Sequence, residues 1–287
     1  TLSTSSFKLI TTPGSTNSDV SQTKLFPTNK NDSYIKFVPQ SFQIAETETT
    51  YSLWYEVFQW AIINGYYFQD AGSEGSSGTI GAAPTSGNTE PVSSISWRDA
   101  IVWCNALTEY YNLRKGTSLK YVYSYNGSII RDSRDSNATA CDNAVQILTA
   151  DGFRLPTTTE WEFVARYRGI NSTNAIWKDG TYYTKGDSAS GATANDSDYS
   201  ATSLVAWCAN ISCTTHPVKT KTQNTIGLYD MSGNVWEYCF EEFYVTSKPV
   251  RGGGMVYGEG VFGIGINFVK DPDKADSDYG FRFCRNK

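Results

Sequence analysis

Thiols, imidazoles and clustered carboxylates carry most protein chemistry, and in this chain they are few or badly spaced for it. The six cysteines are Cys104, Cys141, Cys208, Cys213, Cys239 and Cys284. None forms a C-x-x-C pair, which argues against a structural zinc site. Cys208 and Cys213 flank a short loop and could pair. Cys104 lies on an apolar helix face and reads as a small core residue. The single histidine, His216, sits in a Thr-rich loop where a solvated side chain is the default. One histidine in that setting is weak support for a Ser-His-Asp triad. Asp271, Asp273, Asp276 and Asp278 look like calcium ligands, but they miss the EF-hand spacing and lack its closing Glu. Gly258-Glu-Gly260-Val-Phe-Gly263 spells G-x-G-x-x-G, yet the tail after it is too short for a βαβ unit. No spacing singles out a carboxylate pair for glycosidic cleavage.

The elements that must position these residues are legible in the periodicity. Trp54, Val57, Phe58, Ala61 and Ile62 make one apolar stripe after Thr49-Thr50 and predict a helix over 50–64. Ser96-Trp97-Arg98-Asp99 is a capping signature, followed by Ala100, Ile101, Cys104 and Leu107 on one face, and predicts a helix over 96–111. Thr157-Thr158-Thr159-Glu160 after Pro156 is a second capping box and predicts a helix over 157–168, with Trp161, Val164 and Ala165. Strand residues 120–125, Asn126-Gly127 and 128–131 read as a hairpin, because Asn-Gly supplies the positive φ of a tight turn. Two polar loops span about 71–89 and 186–203. The pattern implies one α+β domain over residues 1–287 with long insertions and no internal repeat.

Composition narrows the function classes. Of 287 residues, 39% are hydrophobic and 18% charged, which permits a sizeable core and argues against global disorder. The 19 Tyr and 8 Trp suit a contact surface as well as a Tyr-rich β protein. A net charge of −5 with no basic run argues against a nucleic-acid partner. No apolar stretch approaches the ~20 residues of a membrane span.

Several blocks in order resemble the formylglycine-generating-enzyme and sulfatase-modifying-factor family. They are Phe42-Gln-Ile-Ala-Glu46-Thr-Glu48-Thr, Pro91 to Ala100 with Cys104-Asn105, and Phe153-Arg154-Leu155-Pro156 running into Glu160-Trp161-Glu162. Then come Asn224 to Glu237, with Gly-Leu-Tyr-Asp-Met and Gly-Asn-Val-Trp-Glu, and Arg251-Gly252-Gly253 with Gly280-Phe281-Arg282. The resemblance runs from about residue 40 to the end and implies the C-type lectin-like fold of that family. Trp97, Trp161 and Trp236 are expected as core anchors. Arg154, Arg251 and Arg282 are expected to hold carboxylates such as Glu162 or Glu237 in bidentate pairs.

The resemblance also implies where chemistry should be, and the chain departs from it there. Oxidase members of the family use two cysteines just after the double glycine, to bind copper and engage a substrate cysteine. Here those positions fall on Tyr257 and Phe262. Another branch uses histidines to hold iron, and this chain has one. No catalytic residue and no resident cofactor are therefore expected. Family members often carry calcium near the Gly-Asn-Val-Trp-Glu block, which makes Asn234 and Glu237 weak candidates for structural calcium.

Residues 256–268 mix bare glycines with large apolar side chains, where the family usually has Arg, Asn, Ser and Cys. This tail resembles those of retroelement-diversified bacterial variable proteins, especially a spirochaete one, which vary positions near a terminal Gly-Phe-Arg. Substitution at template adenines turns Asn codons into Tyr, Asp, Ser, Gly, Val, Ile or Phe, and this tail is rich in that set. The implied role is non-catalytic binding of a protein or other macromolecule by a segment at about 251–287. The expected contact residues are Val256, Tyr257, Glu259, Val261, Phe262, Ile264, Ile266, Phe268, Asp271, Asp273, Lys274, Ala275, Asp276, Ser277 and Tyr279. The competing reading is a core strand with Val, Phe and Ile turned inward. The resemblance further implies a monomer at a bacterial cell surface, as a lipoprotein with a lipid anchor upstream of Thr1.

Overall fold

Each of the three expected helices begins where a side chain caps it. In the computed structural model, which describes residues 8–12, 24–38, 41–147, 149–209, 212–241, 246–256 and 263–287, Thr50 accepts from the Leu53 amide and starts helix Tyr51–Ile62. Its stripe buries Leu53, Trp54, Val57 and Ala61. Ser96 and Asp99 form a reciprocal capping box at the head of helix Trp97–Lys115. This helix runs past the expected end at 111, because its stop signal is Gly116 in the left-handed region, preceded by Arg114 and Lys115 in the last turn. Thr157 and Glu160 form the second box, at helix Thr158–Arg166. That helix ends a little early, since Tyr167 turns extended and opens strand Tyr167–Gly169.

The hairpin forms as strands Tyr123–Tyr125 and Ser128–Ile129, with Tyr125 opposite Ser128. Asn126 (φ 49°) and Gly127 (φ 76°) supply the two positive φ values of its turn.

Two four-stranded sheets carry the framework. In the first, strands Leu9–Thr11, Phe42–Ala45, Cys284–Asn286 and Phe153–Arg154 lie side by side in that order, all antiparallel, so the two ends of the chain share one sheet. In the second the order is Phe268–Lys270, Lys248–Arg251, Trp236–Tyr238 and Tyr279–Gly280. Its pairs are antiparallel except the last, where Trp236 sits parallel to Tyr279.

The aromatic anchors meet between the helices and these sheets. Trp54 and Trp103 stack at 5.7 Å, and Phe281 sets its edge against both. Trp97 and Trp161 are fully buried and Trp236 nearly so. Burying such rings contributes more apolar area per residue than any aliphatic side chain. Cys104 is a core residue as expected. Cys208 and Cys213, which could have paired, form no disulfide; Cys208 is buried and Cys213 exposed. Cys213 turns its Sγ toward the Ala209 carbonyl, 3.6 Å away, on the outside of the loop.

Candidate ligand-binding surface

A buried ion cluster under the tail sets its position. The Glu162 carboxylate accepts from the Thr28 hydroxyl (2.7 Å), the Asn29 amide (2.9 Å) and Arg166 Nε (2.9 Å). Arg251 Nη2 completes it at 2.5 Å. Burial pushes against the charge, but Arg251 and Arg166 beside it hold Glu162 below the usual carboxylate range. Arg251 then reaches the tail: its Nη1 donates to the Ile266 carbonyl (2.8 Å) and its Nη2 to that of Ile264 (3.2 Å).

The rest of the tail also hangs on the scaffold by its main chain. Amides of Ile264 and Gly265 donate to the carbonyls of Ser188 (3.0 Å) and Gly186 (2.9 Å). The Arg98 amide donates to the Pro272 carbonyl, the Ser94 amide to that of Asp276 and the Trp236 amide to that of Asp278. The Tyr238 hydroxyl donates to the Lys274 carbonyl at 2.5 Å. Every one of these bonds uses a tail backbone group, so each survives a change of tail side chain. Gly265 is the exception in kind: a Cβ there would lie 2.3 Å from the Asn29 backbone. Its close approach to residues 29 and 30 requires glycine.

The expected contact residues divide three ways. Val256 (49% exposed), Phe268 (47%), Asp271, Asp273, Lys274 and Ser277 are exposed, and Ile266, Ala275 and Asp276 are half-buried. Ile264 and Tyr279 were expected at the surface and are instead fully buried, at 0% and 1%. Ile264 packs in the core cluster that holds Trp161, Phe163 and Leu228. Tyr279 is paired in a sheet beside Trp236 and lies against the Tyr238 ring at 5.8 Å. The glycines around Ile264 are therefore close-packing residues and not the loose linkers their composition suggests. Tyr257, Glu259, Val261 and Phe262 lie outside the described residues.

Sequence reasoning missed Val269, which is 45% exposed beside Phe268. Both lie on an edge strand of the second sheet, where successive side chains point to opposite faces, and each is about half exposed. The Phe268 ring meets Trp236 edge-on at 5.3 Å, which fixes an exposed aromatic against a buried one. Phe268 thus offers contact area that is already ordered.

The block that offered weak calcium candidates is committed elsewhere. Asn234 Oδ1 accepts from the His216 amide (2.9 Å) and its Nδ2 donates to Glu48 (2.7 Å). Both Glu237 oxygens take N–H donors from Arg282, and one also takes Trp161 Nε1 at 2.6 Å. Calcium needs six to eight oxygens free to point at it, and these do not fit. Among the described residues no group of three or more His, Cys, Asp or Glu is arranged to hold a metal ion.

Two acidic clusters have shifted protonation. Burial, with Asp230 and Glu237 nearby, pushes the Glu48 carboxyl well up. Burial likewise raises Asp230 to about 6. Partial burial, and then Asp99, Asp135 and Asp273, push Asp70 up to about 7.

The fold and this surface define a mixed α and β scaffold with a tail hung on it by main-chain bonds. The sulfatase-modifying factor enzyme 1-like domain matches residues 7–287, and the chain belongs to this family, FGE-sulfatase. It is 30% identical to chaperone protein LppX of Paenibacillus barcinonensis over 219 residues, 70% of this chain and 71% of that one. Among solved structures it is similar to Treponema denticola variable protein 1, with a TM-score of 0.66 and 24% identity over 98% of this chain and 95% of that one. CarF gives a TM-score of 0.70 and 26% identity, covering 98% of each chain. The likeness to the variable protein is one of fold. Among the described residues no helix is long and apolar enough to cross a membrane.

Proposed function

We propose that this protein is a non-catalytic binding protein. In this reading a single domain of the C-type lectin-like subclass displays a diversifiable surface at about residues 251–287. The observation that carries it is the mode of attachment: the tail is fixed through backbone groups while Val256, Phe268, Asp271, Asp273, Lys274 and Ser277 point outward. An exposed side chain held that way contributes little to stability, typically within ~0.5 kcal/mol on substitution. Its partner is a protein or other macromolecule. Exposed Phe268 and Val269 supply apolar anchors, and the neighbouring aspartates favour a partner with basic or hydrogen-bond-donating groups.

Absence of the family's oxidase chemistry rests on Tyr257 and Phe262 at the cysteine positions. In support, burial pushes the thiols of Cys104, Cys141, Cys239 and Cys284 up, away from the reactive thiolate. A place at the bacterial cell surface, as a lipid-anchored monomer, belongs to the same reading.

A library randomised at the six exposed positions and selected against one immobilised protein, such as lysozyme, tests it. The expected result is binders whose melting temperatures stay within a few degrees of the parent. A library that is mostly unfolded would overturn the reading.

One observation favours a different reading. Asp70, raised to about 7 beside Asp99, has the poise of a general acid or base and would suit an enzyme with chemistry away from the cysteine positions. An activity lost in Asp70→Asn, with the fold intact, would replace the binding reading with that one.

A further inference from the structure

Tyr67 and the Asn-Gly hairpin face each other across a cleft of about 420 Å³. That volume falls within the ~300–1,000 Å³ of small-molecule sites. Its walls come from residues 65–67, 125–132 and 137–140, and none of them belongs to the tail.

The charges in this wall are already satisfied by the protein. Arg131 Nη2 pairs with Glu109 at 2.8 Å, and its guanidinium lies 4.4 Å from the Tyr66 ring centre. Asp132 takes two parallel bonds from Arg134, at 2.9 and 2.8 Å. An anionic ligand would compete with Glu109 for Arg131, and a cationic one with Arg134 for Asp132.

What the cleft still offers is neutral. Tyr67 is 49% exposed, with the Arg134 guanidinium 4.3 Å from its ring centre on one face, and Tyr125 is half-buried with no such cover among the described residues. Among the described residues, the hydroxyls of Tyr125 and Ser128 and the amide of Asn126 make no hydrogen bond. The wall is also preformed. The Tyr67 amide donates to the Arg131 carbonyl at 2.8 Å, and the Tyr67 carbonyl accepts from the Ser133 amide at 3.0 Å. The hairpin opposite is locked by its two positive-φ residues.

Aromatic rings beside unpaired hydroxyl and amide groups, with no free charge, match one ligand chemistry closely. We propose that this cleft binds a neutral saccharide. A pyranose ring lays its C–H face on a tyrosine ring and exchanges hydroxyl hydrogen bonds with Tyr125, Asn126 and Ser128. A purely apolar ligand would leave those polar groups dry and unpaired, which costs free energy. This site stands independently of the tail and of the function assigned to it.

Saturation-transfer NMR on the full chain tests the proposal. The probes are methyl β-glucopyranoside, methyl β-galactopyranoside and N-acetylglucosamine, with glucuronate and adenine as counter-probes. At least one neutral sugar is expected to take up saturation, strongest on the protons of one ring face. Tyr125→Ala should weaken that sugar about tenfold. Ser128→Trp, which fills the cleft from an exposed strand position, should abolish its binding while the melting temperature stays near the parent's. The proposal is overturned if no neutral sugar binds, if binding is unchanged in both variants, or if glucuronate or adenine binds in preference.

Discussion

Arg282 and Glu237 face each other as a fully buried bidentate pair, Nη2 to Oε1 at 2.6 Å and Nε to Oε2 at 2.7 Å. The pair ties the Gly-Phe-Arg block to the Gly-Asn-Val-Trp-Glu block. Arg282 Nη2 also donates to the Tyr229 carbonyl at 2.9 Å. Removing one partner strands a buried charge, at a cost of about 3–5 kcal/mol. Arg282→Ala should therefore lower the unfolding free energy in urea by at least about 3 kcal/mol. A loss under about 1 kcal/mol would show that the pair contributes little.

Tail residues should split sharply by position. Ile264→Ala removes a fully buried side chain and should cost about 2–5 kcal/mol. Gly265→Ala should destabilise as well, since its Cβ would press on the Asn29 backbone. Asp271→Asn, Lys274→Gln and Ser277→Ala should each stay within about 0.5 kcal/mol. Equal losses across both groups in chemical denaturation would contradict the division of the tail into buried and exposed positions.

Stability should carry a signature of Asp230. Burial raises its carboxyl from 3.8 to about 6, although the Lys219 amide and Arg282 oppose the shift. Between those values the folded protein holds a proton that the unfolded chain has released. This group's contribution therefore falls as pH rises through that window and is level above it. Asp230→Asn removes the titration. The melting temperature of the variant relative to the parent should climb from pH 4 to pH 6 and then stay constant. A difference that does not change with pH would contradict the assignment.

How much of this was legible follows from what is local. Capping boxes at Ser96 and Thr157 are contiguous in sequence, so the starts of both helices could be read directly. The Asn126-Gly127 turn is equally local. The pairing of Arg251 with Glu162, and of Arg282 with Glu237, spans dozens of residues, so sequence suggested the types but not the partners. Ile264 and Tyr279 were misplaced for a related reason. Exposure in an irregular tail has no period, and the segments that meet them, strand 236–238 beside Tyr279 and the turn at 186–188 beside Ile264, are distant in the chain. Val269 went unnoticed because nothing local marks an edge strand.

Absence of formylglycine-generating activity has its own test. Copper-loaded protein incubated with a sulfatase-type cysteine peptide should leave the peptide's mass unchanged. Conversion of the cysteine would show that another group replaces the thiols missing at Tyr257 and Phe262.

The central claim is that the tail is a diversified surface on a constant scaffold, and sequencing the source locus tests it most directly. A near-copy of the segment encoding residues 251–287 is predicted close by, beside a reverse transcriptase gene. Adenines should occupy the codons of the exposed positions Val256, Phe268, Asp271, Asp273 and Ser277, while the codons of Gly265 and Arg282 match between the copies. A locus with neither a second copy nor a reverse transcriptase, and identical tails across isolates, would contradict it.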